Sequence, residues 1–201
     1  MYLWRQLTDR QRQDLLTWRR NHDRPWHSPP HWHTAHTHFH VSAACYEHQC
    51  IPGKHTTRMQ EFEDQLLRSL QAHDDSVIAW CLLPNHYHAL VKCNSIQSIR
   101  RDLGVLHGQL SWKWNGEDNQ RGRKVWFNCL DKPIRGDRHF WTTVNYIHNN
   151  PVRHGYVKRW QDWPFSSAAS FLEKMGRKEA ERIWREFPIL EYGKGWDDAN
   201  L

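Results

Sequence analysis

Residues 82–92 read LLPNHYHALVK: an apolar run, a Pro-Asn turn, and a second apolar run that carries His86 and His88 one residue apart. Taken with its flanks, SVIAWCLL (76–83) before the turn and HYHALVKC (86–93) after it, this is the pattern of a tight β-hairpin. Side chains two apart on a strand point the same way, so His86 and His88 share one face while Tyr87, Ala89 and Val91 share the other. Two imidazoles so placed can hold one divalent ion, or they can be ordinary polar-face histidines bonded to carbonyls. In a chain with 16 His, the spacing does not choose between those readings.

Outward from the hairpin, residues 36–45 alternate, with Phe39, Val41, Ala43 and Cys45 on one face and His38, His40 and Ser42 on the other, which predicts a strand. A helix should follow: Thr57 and Gln60 fit a capping box, and Met59, Phe62, Leu66 and Leu70 keep helical spacing. Beyond the hairpin, Ile99, Leu103, Leu106 and Leu110 mark a second amphipathic helix, NGEDNQRGRK (115–124) a basic loop, and VWFNCL (125–130) a fourth strand. DRHFWTTVNYIHN (137–149) reads as a third core helix, expected to stop before Pro151 because the residue before a proline avoids helical geometry. The order predicts an α+β fold, a ferredoxin-like βαββαβ antiparallel sheet with its first and third strands at the centre, helices on one face and helical extensions at both ends. The expected organisation is a basic N-terminal extension over 1–33, whose helix Thr8 caps, a catalytic domain over 34–171, and a charged helical tail over 172–201.

The 201 residues suffice for one main domain, and no apolar stretch is long enough to span a membrane. No secretory signal opens the chain, so a cytoplasmic protein is expected. Five cysteines, odd in number and without a Cys-x-x-Cys pair, argue against a disulfide framework. A formal charge of +6 and 13 Trp suit a polyanionic partner with unpaired, stackable bases.

In the third helix, Phe140, Trp141, Val144 and Ile147 form the apolar stripe, and at ~100° per residue Tyr146 lies roughly 150° from its middle. Asn150, four residues on, and Thr143, three back, share that polar flank. A phenol beside an amide, facing a His-bound metal, suits nucleophilic attack on phosphate, because the metal offsets the charge that develops. The plainer reading of Tyr146 is an interface or turn-capping tyrosine.

LPNHYHALV (83–91), YIHNNPVRHGYV (146–157) and DWPFSSA (162–168), three ordered motifs, resemble the REP-associated tyrosine transposases, a branch of the HUH single-tyrosine transposases, over about residues 34–171. The resemblance implies that His86 and His88 are the metal-binding HUH pair, Asn150 the third, amide-bearing ligand, and Tyr146 the nucleophile. It implies cleavage of single-stranded DNA beside a REP-like hairpin, leaving a 5′-phosphotyrosine and a free 3′-OH. No nucleotide cofactor is required, and the chain has no Walker-type loop. Asp131 and Arg135 also sit where that family carries an Asp and an Ile-Arg pair, whereas Asn128, Cys129 and Leu130 replace the aromatics expected before them.

Two imidazoles with an amide oxygen and waters suit Mn²⁺ or, with a phosphate in place, Mg²⁺, whereas imidazoles alone would rather take Zn²⁺ or Ni²⁺; cellular abundance makes Mg²⁺ the expected ion, with Mn²⁺ able to substitute. Arg100, Arg101, Arg121, Arg123, Lys124 and Arg135 are candidates for DNA phosphate contacts, or equally a solvated basic face. The histidines at 31, 33, 36, 38 and 40 could make a second metal site, and Cys45, His48, Cys50 and His55 a zinc site, though their spacing favours neither. A monomer is favoured. The rival function is a domesticated protein that binds a DNA hairpin without cutting it, and a weaker one is a His-rich metal buffer.

Overall fold

A computed structural model describes residues 7–21, 37–72 and 75–194. The chain divides into two compact units, 1–34 and 35–201. The first contains α1 (Asp9–Asn21). As its sequence predicts, Thr8 caps it: the Gln11 amide donates to Thr8 Oγ1 at 3.3 Å, and the Thr8 amide donates to Gln11 Oε1 at 2.8 Å. His31, His33 and His36 lie outside the described residues.

The second unit runs β1 (His38–Ala44), α2 (Thr56–Leu70), β2 (Ser76–Leu83), β3 (His86–Lys92), α3 (Ile96–Glu117), β4 (Leu130–Pro133), α4 (Asp137–Arg153), α5 (Ala168–Met175) and α6 (Arg177–Glu186). The antiparallel sheet has the order β2-β3-β1-β4, so β1 and β3 are central, as the βαββαβ reading requires. Phe39, Val41, Ala43, Tyr87, Ala89 and Val91 face α2 and α3, where Phe62, Leu66, Leu103, Leu110 and Trp114 complete the main core. Ala79, Cys81, Leu83 and Leu90 face the other way, onto Val144 and Ile147 of α4. With both faces covered, β3 is buried from His86 to Val91, which is why its sequence looks continuously apolar.

Several local expectations need correction. The helix α2 begins one residue before Thr57, with His55 as N-cap and no side-chain cap, so the Thr57–Gln60 capping box does not form. The fourth strand is Leu130–Pro133 rather than 125–130. Val125–Phe127 does run beside the end of β1, through Tyr46 N to the Val125 carbonyl (2.7 Å) and Phe127 N to the Ala44 carbonyl (2.9 Å), but Asn128 and Cys129 interrupt the ladder before it resumes. Pro151 does not stop α4, which continues to Arg153. A proline costs a helix one amide bond, and here the next turn is rescued: His154 N donates to the Asn150 carbonyl at 3.1 Å and Tyr156 N to that of Pro151 at 2.9 Å. The tail is two helices broken at Gly176, whose φ of 75° suits glycine, and α5 crosses the expected boundary at 171/172.

The DWPFSSA motif has a structural role: it covers the outer edge of β2. Leu82 N donates to the Phe165 carbonyl (2.9 Å), Ser167 N to the Trp80 carbonyl (3.0 Å), and Trp163 Nε1 to the Leu82 carbonyl (2.8 Å). An edge strand left open would invite pairing with another chain.

Candidate active site

The Pro84-Asn85 turn that closes the hairpin also orients its first histidine. Asn85 Nδ2 donates to the His48 carbonyl at 3.0 Å, which fixes the amide so that Oδ1 accepts from His86 Nδ1 at 2.7 Å. The proton therefore sits on Nδ1, and in the neutral ring Nε2 presents a lone pair. That nitrogen lies 3.0 Å from Oδ1 of Asn150, another acceptor. Asn150 is wholly buried, and its Nδ2 has no hydrogen-bond partner among the described residues. Two acceptors facing each other call for a shared positive charge, an imidazolium proton or a metal ion; alternatively, the turned-over amide would let Nδ2 donate to Nε2. Imidazole nitrogen with an amide oxygen is a donor set that fits a divalent cation.

His88 is held in a similar way. The β1–β3 register pairs Ser42 with His88 and His40 with Leu90, which sets His40 diagonally beside His88. His40 Nε2 and His88 Nδ1 share a hydrogen bond of 3.1 Å, leaving the far nitrogen of His88 for other partners. His40 is thus an orienting neighbour of the pair. His38 instead packs edge-on against Phe140. Among the described residues no group of three or more His, Cys, Asp or Glu is arranged to hold a metal, which leaves the Cys45–His55 cluster without a zinc geometry. Any ion here depends on the two histidines and the amide.

From the other side, α4 brings Tyr146 and Asn150 over these rings. Because Asn150 stays helical, its side chain keeps the aim of Tyr146 one turn earlier. The Tyr146 ring centre is 5.2 Å from that of His88 and 6.0 Å from that of His40, both edge-on. His154, one turn beyond Asn150, sets its ring 4.9 Å from that of His86. Tyr146 does not share an exposed polar flank, as its angle to the apolar stripe suggests. It is only 1% exposed, because α4 is covered on both sides. The covering segment is 188–194: Tyr192 packs edge-on 5.4 Å from the Tyr146 ring, and Gly193 lies so close that an added Cβ would collide with Tyr146 Cε2 and Cζ.

A closed chain of hydrogen bonds pins that segment. The Arg135 amide donates to His139 Nδ1 (3.2 Å), His139 Nε2 donates to the Tyr192 hydroxyl (3.2 Å), that hydroxyl donates to Thr143 Oγ1 (2.7 Å), and Thr143 donates to the His139 carbonyl (2.7 Å). Burial, followed by the charges of Arg135 and Lys132, lowers the pKa of His139, consistent with a neutral ring in this chain. Burial raises that of the Tyr192 phenol.

The basic candidates scatter. Arg123 is committed to Asp118 at 2.8 Å, which Arg58 and Lys54 also bind, and these bonds hold the carboxyl far below its usual range. Arg100 lies 3.6 Å from Asp131, and Arg101 pairs with Asp102 at 3.3 Å. Arg121 covers the exposed Trp112 ring at 4.5 Å, and Lys124 sits 4.7 Å over Tyr46. Arg135 alone of the six lines the cleft beside Tyr192, with Arg138 and His139.

The comparisons agree with this architecture. No protein-family model matches the chain. A protein of Haemophilus influenzae assigned to the REP-associated tyrosine transposases is 28% identical over 124 residues, which are 56% of this chain and 69% of that relative. A REP-associated tyrosine transposase of Escherichia coli K12 is 26% identical over 118 residues, 56% of this chain and 66% of its own length. The chain is similar to the REP-associated tyrosine transposases. A solved structure of a REP-associated tyrosine transposase bound to a REP hairpin shares the fold, with a TM-score of 0.57 at 20% identity over 76% of this chain and 87% of that one. The matched stretches thus span about two thirds of the transposases' own length, and among the described residues no helix is long and apolar enough to cross a membrane.

Proposed function

We propose that this protein is a metal-dependent single-strand DNA strand transferase that acts beside REP-like hairpins through a 5′-phosphotyrosine. The observation that carries the reading is the convergence under α4: Asn150 Oδ1 3.0 Å from His86 Nε2, with the Tyr146 ring 5.2 Å from that of His88. Separate elements, a hairpin that ends at Lys92 and a helix that begins at Asp137, contribute these groups to one buried cluster.

The Tyr146 oxygen forms a bond to phosphorus as the bond from phosphorus to the 3′-oxygen breaks. The phenol proton is released, and the departing 3′-oxygen takes one up. The phosphoester is conserved in the protein link, so rejoining needs no nucleotide. A Mg²⁺ ion, or Mn²⁺ in its place, held by His86, His88 and Asn150, supplies Lewis-acid polarisation of a phosphate oxygen. Asn85 holds the His86 imidazole so that its Nε2 lone pair faces Asn150, and His40 orients the ring of His88. DNA reaches Tyr146 only when residues 188–194 move aside.

That burial favours a second reading, a hairpin-binding protein that no longer cuts. Incubation with single-stranded DNA carrying the hairpin repeats that flank its gene, in Mg²⁺, Mn²⁺ or chelator, separates the two. A metal-dependent covalent adduct on a denaturing gel, lost in Tyr146→Phe, is expected of the transferase. Tight hairpin binding without an adduct in either metal would leave only the binder.

A further inference from the structure

Resting on the strand-transfer reading, we infer that Arg153 is a further catalytic residue, which holds the phosphate that Tyr146 attacks. Tyr146, Asn150 and Arg153 recur at i, i+4 and i+7, which is one stripe of α4. The Arg153 guanidinium carbon lies 5.9 Å from the centre of the Tyr146 ring. One of its nitrogens donates to the Gly193 carbonyl at 3.3 Å. Gly193 in turn abuts Tyr146 at Cε2 and Cζ, and Cζ bears the hydroxyl. Gly193 thus lies against the hydroxyl-bearing edge of the Tyr146 ring, and its carbonyl is an acceptor for Arg153.

A phosphodiester must approach that same end before Tyr146 can attack it, and it presents oxygen acceptors with a full negative charge. Guanidinium prefers such a partner to a neutral carbonyl, since charge-assisted bonds are shorter and roughly twice as strong as neutral ones. When segment 188–194 leaves, a non-bridging phosphate oxygen takes the position of the Gly193 carbonyl on Arg153. The guanidinium carries no proton in the step. It supplies a fixed positive charge where negative charge accumulates as the new bond to phosphorus forms and the bond to the 3′-oxygen breaks. The division of labour follows the stripe: Asn150 turns toward His86, and Arg153 toward the Tyr146 ring.

A purely structural Arg153, serving only to anchor Gly193, makes the opposite prediction. Loosening that anchor would uncover Tyr146 and leave adduct formation unchanged or faster. The test compares wild type, Arg153→Gln, Arg153→Lys and Tyr146→Phe with the single-stranded flanking-hairpin DNA, measuring hairpin affinity and the single-turnover rate of adduct formation separately. Arg153→Gln should slow the adduct step by about 10²–10³-fold, the effect of losing one donor to a developing oxyanion. Hairpin affinity should change far less, Arg153→Lys should fall between, and added ethylguanidinium should partly restore Arg153→Gln. An adduct rate unchanged or raised in Arg153→Gln would overturn the assignment. Absence of an adduct with wild type counts against the strand-transfer reading alone. The phosphate contact is then judged by the salt dependence of binding to a short single-stranded oligonucleotide. Its log–log slope should shrink by about 0.7 in Arg153→Gln, and an unchanged slope overturns the contact.

Discussion

Asn85→Ala isolates the residue that sets the tautomer of His86. The substitution deletes two buried hydrogen bonds, to His86 Nδ1 at 2.7 Å and to the His48 carbonyl at 3.0 Å. Each of the two buried partners left without a bond costs about 1–3 kcal/mol, so a loss of roughly 2–6 kcal/mol in unfolding free energy is expected. With the Nδ1 partner gone, the ring can place its proton on either nitrogen, and the lone pair toward Asn150 is no longer guaranteed. Changes to such outer partners typically weaken metal binding or activity by ~10–100-fold. Asn85→Asp separates the two effects: it keeps an acceptor for His86 Nδ1 but sets a carboxylate against the His48 carbonyl, so it should lose stability while retaining most of the metal affinity. Urea unfolding gives the first quantity, and titration with Mn²⁺ followed by electron paramagnetic resonance gives the second. If folded Asn85→Ala bound Mn²⁺ within twofold of wild type, the reasoning that links the turn to the lone pair would be refuted.

Other consequences follow from buried groups elsewhere. Burial pushes His107 from 6.5 down to about 4, so the unfolded chain takes up the proton first. Its contribution to stability is lost as pH falls from 6.5 toward 4, at up to ~1.4 kcal/mol per pH unit, and urea midpoints across that window should flatten in His107→Gln; an unaltered slope would remove His107 as a cause. Arg58→Met removes the main partner of the buried Asp118 carboxylate while Lys54 and Arg123 still bind it, so urea unfolding should show a loss below the ~3–5 kcal/mol of a fully broken buried pair; a larger loss would show that the two remaining cations do not compensate. Gly193→Ala combines a clash at Tyr146 with a φ of 81°, so segment 188–194 should detach and Tyr146 should become nitratable by tetranitromethane. Protection of Tyr146 equal to wild type would show that the covering segment tolerates the extra carbon.

Periodicity by itself determined the sheet and its two-helix layer. A two-residue repeat in 38–45, the Pro-Asn turn between two apolar runs, and the three- and four-residue spacing of Ile99, Leu103, Leu106 and Leu110 all report local burial, which each element shows on its own. The sequence alone also put His86 and His88 on one face, because a strand's alternation is a local property, and it spaced Tyr146 and Asn150 one helical turn apart. It misplaced the fourth strand because β4 depends on pairing with β1, whereas the apolar 125–127 stretch that attracts attention belongs to the core beneath it. It ended α4 too early because the bonds that carry the helix past Pro151 come from residues beyond it. Only the tertiary structure set Asn150 against His86, drew in Asn85 and His40, and buried Tyr146 under Tyr192 and Gly193. Those contacts join residues tens of positions apart, and no local repeat encodes a distance between two elements that meet only when the core packs.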